Sequence, residues 1–165
     1  MQVGTKKIFL FITPVTKVYT HYRDRQILAM PDSSLEKYPR LKQRKGRILR
    51  YLQYKKDLKK EAERVGFEMP ANGVHVKFYI PVPPSWRPKK KRLKNMEPHT
   101  SRPDVSNLYK AFEDALLRED MTLWDVRISK YWYNSVKGYI QVEYPVVVVP
   151  AATVEISKPL VVANS

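Results

Sequence analysis

Residues 100–117 read "TSRPDVSNLYKAFEDALL", and the fold turns on what this stretch becomes. Pro103 is followed by Asp104, a residue type that starts helices, and apolar residues then recur at helical spacing. At about 100° per residue, Leu108, Phe112, Ala115 and Leu116 share one sector. Asn107, Lys110 and Asp114 share another, with Asp104 at its amino-terminal edge. The stretch predicts a helix, Asp104 to Leu117, with a greasy face for a sheet and a polar face turned elsewhere. Taken alone, the polar face has an ordinary explanation. Asp104 caps the first-turn amides, and Lys110 with Asp114 forms an i, i+4 pair worth about 0.3 kcal/mol.

Capping does not explain what is delivered to the same helix end. Residues 81–103, "PVPPSWRPKKKRLKNMEPHTSRP", are too rich in proline for regular structure and read as a mobile, positively charged loop. Arg87, Lys89, Lys90, Lys91, Arg92 and Lys94, joined by Arg102, are candidate phosphate contacts. Trp86 is a candidate for stacking on a base. Capping also says nothing of Asp125, an isolated acid at the head of the next strand behind Leu123 and Trp124.

Further out, "NGVHVKFYIPVPP" (72–84) alternates cleanly. It predicts a half-buried strand, Val74 to Val82, with His75 on its outer face. "VRISKYWYN" and "GYIQVEY" flank "SVKG" and predict an antiparallel hairpin, Val126 to Tyr133 and Tyr139 to Tyr144. Ile8 to Ile12 is a continuous apolar run, the mark of a buried strand. Leu41 to Val65 is helical in pattern, with Ile48, Tyr51, Leu52, Leu58, Ala62 and Val65 on one side and Gly66 as its stop. Pro14 to Arg40 shows no sustained period and reads as a long, partly irregular loop. The expected fold is a small single α/β domain over residues 1–144, a mixed sheet covered by two helices. Residues 145–165 form an extension of unknown role, apolar but interrupted by Pro145, Pro150 and Pro159.

Composition bounds the function. The chain has 165 residues, enough for one core, and 31 Lys and Arg against 16 Asp and Glu, a net charge of +15. Such an excess points to a polyanionic partner. With no cysteine there is neither a disulfide framework nor a thiolate metal site. His21, His75 and His99 lack ligand spacing, so zinc is not expected. The apolar run in "MQVGTKKIFLFITP" is too short for a signal core, and no stretch approaches the roughly 20 apolar residues of a membrane span. A soluble, cytoplasmic protein is expected.

With these residues in place, "PHTSRPDVSNLYKAFEDALL" followed by "LWDVRI" resembles the RusA family of Holliday junction resolvases, endodeoxyribonucleases often carried by phages. The family pattern is a basic residue and proline, then Asp-x-Asp-Asn-Leu-x-Lys, a helix ending Asp-Ala-Leu, and an aspartate at the next strand. The flanks "FITPVTK" and "SWRPKKKR" and the closing strands fit as well, so the likeness covers most of Lys7 to Glu143. The resemblance implies a magnesium-dependent homodimer, with manganese as a substitute, that resolves Holliday junctions and other branched DNA in recombination and repair. It assigns magnesium to Asp104 and Asp125, catalysis to these two and Lys110, and a supporting role to Asn107. Ser106 stands where the family has a second motif aspartate. The hydroxyl is a neutral, poor ligand at a metal position, with Asp114 or Glu113 as possible helpers from the next turns. A catalytically weak or inactive member that still binds branched DNA is the alternative. An RNA-binding domain fits less well, for there is no aromatic ribonucleoprotein signature and no GxxG loop.

Overall fold

The computed structural model describes residues 2–18, 22–70, 73–117 and 123–148. His21 and the tail beyond Val148 lie outside them. Four strands, β1 (Gln2–Leu10), β2 (Val74–Pro81), β3 (Val126–Tyr133) and β4 (Tyr139–Val148), form one mixed sheet in the order β1-β4-β2-β3. Two long helices, α3 (Pro39–Arg64) and α5 (Val105–Leu116), lie against one face. The α/β expectation holds.

The alternation read in β2 sets that face. Val74, Val76 and Phe78 are fully buried, and they meet Ile140 and Val142 of β4, Leu10 of β1 and Leu108, Ala111 and Phe112 of α5 in one core. Phe78 and Phe112 meet edge to face, ring centroids 6.2 Å apart, which locks α5 onto the sheet. From α3 come Tyr51, Tyr54, Leu58 and Ala62. Tyr54 takes the inward position expected of Leu52, which is exposed on the far side. Both are large and partly apolar, and only the helix phase separates them. Gly66 ends α3 as expected, with φ at +61° and the amide of Phe67 reaching back 2.9 Å to the Ala62 carbonyl.

The expected hairpin between the last two strands is not made. β2 lies between them, parallel to β3 (Val74 opposite Val126, Pro81 opposite Tyr133) and antiparallel to β4 (Phe78 opposite Ile140). The parallel pairing follows from the α5 crossover between β2 and β3, since a helix can return the chain to run in the same direction. Residues 134–138 then span two strand spacings, roughly 10 Å. Gly138 makes this passage possible: a Cβ there would be driven into the Tyr79 carbonyl oxygen at the end of β2. A short polar segment with glycine looks the same in sequence whether it turns beside its strand or steps over another.

The remaining differences lie where pairing or a few specific bonds outweigh pattern. β1 ends at Leu10 rather than Ile12 and begins at Gln2, because it pairs along the whole of β4, Gln2 opposite Val148. Pro145 to Val148 therefore belong to the sheet and not to an extension. Within the expected loop are two short helices, α1 (Tyr22–Ala29) and α2 (Asp32–Leu35). They carry too few turns for a period to show. Each is tied to α3, by the buried Asp24, which accepts both guanidinium bonds of Arg44, and by buried Leu35. Among the described residues no helix is long and apolar enough to cross a membrane.

Candidate active site

The segment feeding α5 is ordered, contrary to the expectation of a mobile loop. Residues 88–94 form a helix, α4 (Pro88–Lys94), with proline in its first turn, where the missing amide costs nothing. No residue of α4 is buried, so its sequence has no apolar period to betray it. It is held from outside. Trp86, half-buried, packs on Trp132 of β3 (centroids 4.9 Å), and the Lys90 ammonium sits 4.1 Å from the Trp86 ring centroid. Asn95 accepts a 2.8 Å bond from the Asn134 amide. The ring expected to stack on a base thus anchors α4, whose Lys89, Lys90, Arg92 and Lys94 stay exposed, with Arg87 at its cap. Lys91 is half-buried.

Beyond α4 the chain runs antiparallel along the outer edge of β3. Met96 donates to the Trp132 carbonyl (2.8 Å), Trp132 to Glu97 (2.9 Å) and His99 to Lys130 (3.0 Å). His99 is buried and stacks flat on Trp132, ring centroids 3.6 Å apart. The ring fills the space between β3 and the segment after α4. The edge of the sheet is thereby covered and the chain brought to the mouth of α5 in a fixed path.

Lys130 makes the last connection. Its ammonium, on the helix side of β3, donates to the carbonyls of Ser101 and Pro103, the second at 2.5 Å. Burial lowers the affinity of this amine for its proton, and the nearby Asp104 carboxylate acts against that. Lys130 was missed in the sequence, where a lysine midway along an edge strand looks like a solvated cation. It holds the turn from which Asp104 emerges.

Asp104 occupies the N-cap position, as expected, yet its carboxylate makes no capping bond to the helix. Its carbonyl carries the first intrahelical bonds, from Asn107 and Leu108 at 3.2 Å. The exposed carboxylate is thus turned to solvent at the positive end of the helix. Ser106, also exposed, stands two residues on, and Lys110 is exposed one turn further. Asn107 is half-buried, and its carbonyl accepts a 3.0 Å bond from Lys17, which ties the segment after β1 to α5.

Asp114 belongs to a different arrangement. The Tyr51 hydroxyl donates to it at 2.7 Å and the Lys17 ammonium lies 2.9 Å away. Asp125 immediately precedes β3, five residues before Lys130, a separation of roughly 16 Å along an extended chain. Its carbonyl accepts from Val74 at 3.2 Å and its side chain is exposed beside Trp124. Among the described residues no group of three or more His, Cys, Asp or Glu side chains is gathered so as to hold a metal ion.

The arrangement places a basic helix, α4, and the exposed Lys110 around the Asp104 carboxylate; the cations suit the backbone of a nucleic acid, and the carboxylate, which repels phosphate by itself, suits a cation between the two. The family model for endodeoxyribonuclease RusA matches residues 15–143. No curated protein matches the chain.

Proposed function

The chain belongs to the RusA endodeoxyribonuclease family, and from that premise we propose that it is a magnesium-dependent nuclease of branched DNA, four-way junctions above all, acting at the mouth of α5. The observation that carries this reading is the Asp104 carboxylate, placed as a cap but making no capping bond, at the end of the path that α4 and Lys130 define.

Nucleases of this family depend in general on a divalent metal. The chain's own residues fit magnesium in a particular way. Magnesium keeps several waters and is commonly held by one or two carboxylates together with substrate phosphates. Asp104 suits the first ligand, Ser106 adds a neutral oxygen beside it, and the DNA phosphate completes the set. Bound there, the ion supplies activation of water and neutralisation of phosphate charge. Lys110 presents a cation to the same phosphate, and Asn107 supports the helix mouth. Asp125 is proposed as the second carboxylate ligand, as the family pattern implies. A two-fold dimer would match the two symmetry-related strands of a junction. Cytoplasmic action in recombination and repair belongs to the same proposal.

The alternative, a branched-DNA binder with weak or no cleavage, is favoured by one observation. Ser106 leaves the site a charge short of the family pattern, and Asp114, the acid on the same helix face, is engaged by Tyr51 and Lys17. Ser106→Asp separates the two. In the first turn of α5 the new carboxylate meets the favourable end of the helix dipole, so the fold tolerates it. Manganese affinity without DNA, read by electron paramagnetic resonance, should rise. The magnesium needed for half-maximal junction cleavage should fall, and a tenfold gain in rate asks only about 1.4 kcal/mol. A variant that gains neither affinity nor rate would remove the metal from this position.

A further inference from the structure

The sheet face away from α3 and α5 is bare among the described elements and is divided in two. At one end its polar groups satisfy each other: Glu143 takes Lys77 at 2.8 Å and Gln141 at 2.6 Å, and His75 meets Ser129 at 2.8 Å. At the other end lies an aromatic belt that crosses all four strands. Tyr79 and Tyr139 are stacked, centroids 4.2 Å apart and 10° from parallel, and Tyr131 continues the stack at 5.4 Å. Beside them Phe9 and Phe11 lie near-parallel with centroids 6.5 Å apart, each about 6 Å from Tyr139. These two rings are 41% and 66% exposed, which is unusual for phenylalanine. With Tyr133, Lys137 and Gly138 they border an open groove of about 510 Å3.

We propose that this groove is a second nucleic-acid site, which takes unpaired bases of branched DNA by stacking them on Phe9, Phe11 and Tyr139. The inference rests on the reading of DNA as the partner. Three observations choose a base over another occupant. Four aromatic residues, Phe9, Phe11, Tyr133 and Tyr139, line the groove and suit a planar ligand, and Lys137 among them offers a cation to the phosphate that accompanies each base. The chain's +15 charge draws a polyanion. Third, the groove lies at the same end of the sheet as the α5 mouth. Phe11 leads directly into the segment that Thr13 fastens to Gly138 (3.0 Å) and Lys17 fastens to Asn107 (3.0 Å). A strand unpaired at a branch held by α5 would reach the rings around that end of the sheet.

The test compares an oligothymidylate with a blunt duplex of the same charge, by fluorescence anisotropy, for the full chain and for Phe9→Ala/Phe11→Ala. The double variant should lose about tenfold or more on the single strand and under about twofold on the duplex, as expected when base stacking rather than charge is removed. Phe11→Trp should keep single-strand affinity and show fluorescence quenching on binding. Photocrosslinking of the unaltered chain to bromouracil-substituted strand should map to Phe9, Phe11 or Tyr139, which guards against a misfolded variant. Equal losses on both ligands, or none, would overturn the proposal. So would a double variant that binds single strands normally but turns from dimer to monomer in sedimentation, since a second copy would then own the groove. An unaltered chain that binds duplex but not single strands defeats this inference alone. One that binds neither defeats the DNA reading and this inference with it.

Discussion

The Tyr51 hydroxyl on α3 donates a 2.7 Å hydrogen bond to the Asp114 carboxylate on α5, joining the two helices that cover the sheet. The Lys17 ammonium meets the same carboxylate, so the segment after β1 is drawn into the contact. An acid that shares a helix face with Asp104, Asn107 and Lys110 thus serves the packing of the domain.

Asp114→Ala should therefore cost about 1–3 kcal/mol of stability at neutral pH, the penalty for stripping a half-buried hydroxyl and a lysine of their acceptor. Burial raises the affinity of this carboxyl for a proton, but the bonds from Tyr51 and Lys17 outweigh it and hold the group below the ordinary carboxylate range. A depressed carboxyl stabilises the fold above its unfolded value, and that contribution fades as pH falls through the folded one. The gap between variant and parent in denaturant titrations should accordingly close below about pH 4. The magnesium requirement for cleavage should stay unchanged; a marked rise would make Asp114 a ligand after all.

Lys130→Met should loosen the turn that carries Asp104. Two carbonyls lose their donor, for about 1–2 kcal/mol. Cleavage should fall much further than junction affinity, because Asp104 is misplaced while α4 still binds. Amide hydrogen exchange gives the direct readout: residues 104–108 should exchange faster in the variant. Unchanged protection there would mean that Lys130 does not position the site.

Reversal of Lys89 and Lys90 to Glu should weaken binding to every DNA tested. It should also flatten the dependence of log K on log salt, by about 0.9 for each phosphate that is no longer neutralised. Trp86→Ala should act in the same sense without removing a charge, since the ring anchors α4 beneath Lys90. If Trp86→Ala instead impaired single-stranded binding and spared duplex, the ring would be a base platform and not an anchor.

What could be read in the sequence followed from period. β2 and α5 each present one apolar face to one core, so alternation and helical spacing located Val76, Phe78, Leu108 and Phe112 without ambiguity. The polar side of α5 was legible in the same way, since a helix fixes the relative direction of Asn107, Lys110 and Asp114. Elements held by single contacts were not. α4 owes its place to Trp86 on Trp132 and to Asn95, and α1 to Asp24 beneath Arg44, pairs that are distant in sequence and leave no period. Strand order was hidden because Gly138 permits a step over β2 as readily as a turn. Lys130 was invisible as a site residue, for its partners are backbone carbonyls, which every residue possesses.

The central claim is that Asp104 stands at the scissile phosphate, and cleavage of a four-way junction by the parent chain and by Asp104→Asn tests it most directly, with binding measured on the same samples. The parent should nick the junction with magnesium and not with chelator. Asp104→Asn should bind at least as tightly, because a charge that repels phosphate is gone, and should cut not at all. Cleavage by Asp104→Asn at the parental rate would contradict the account.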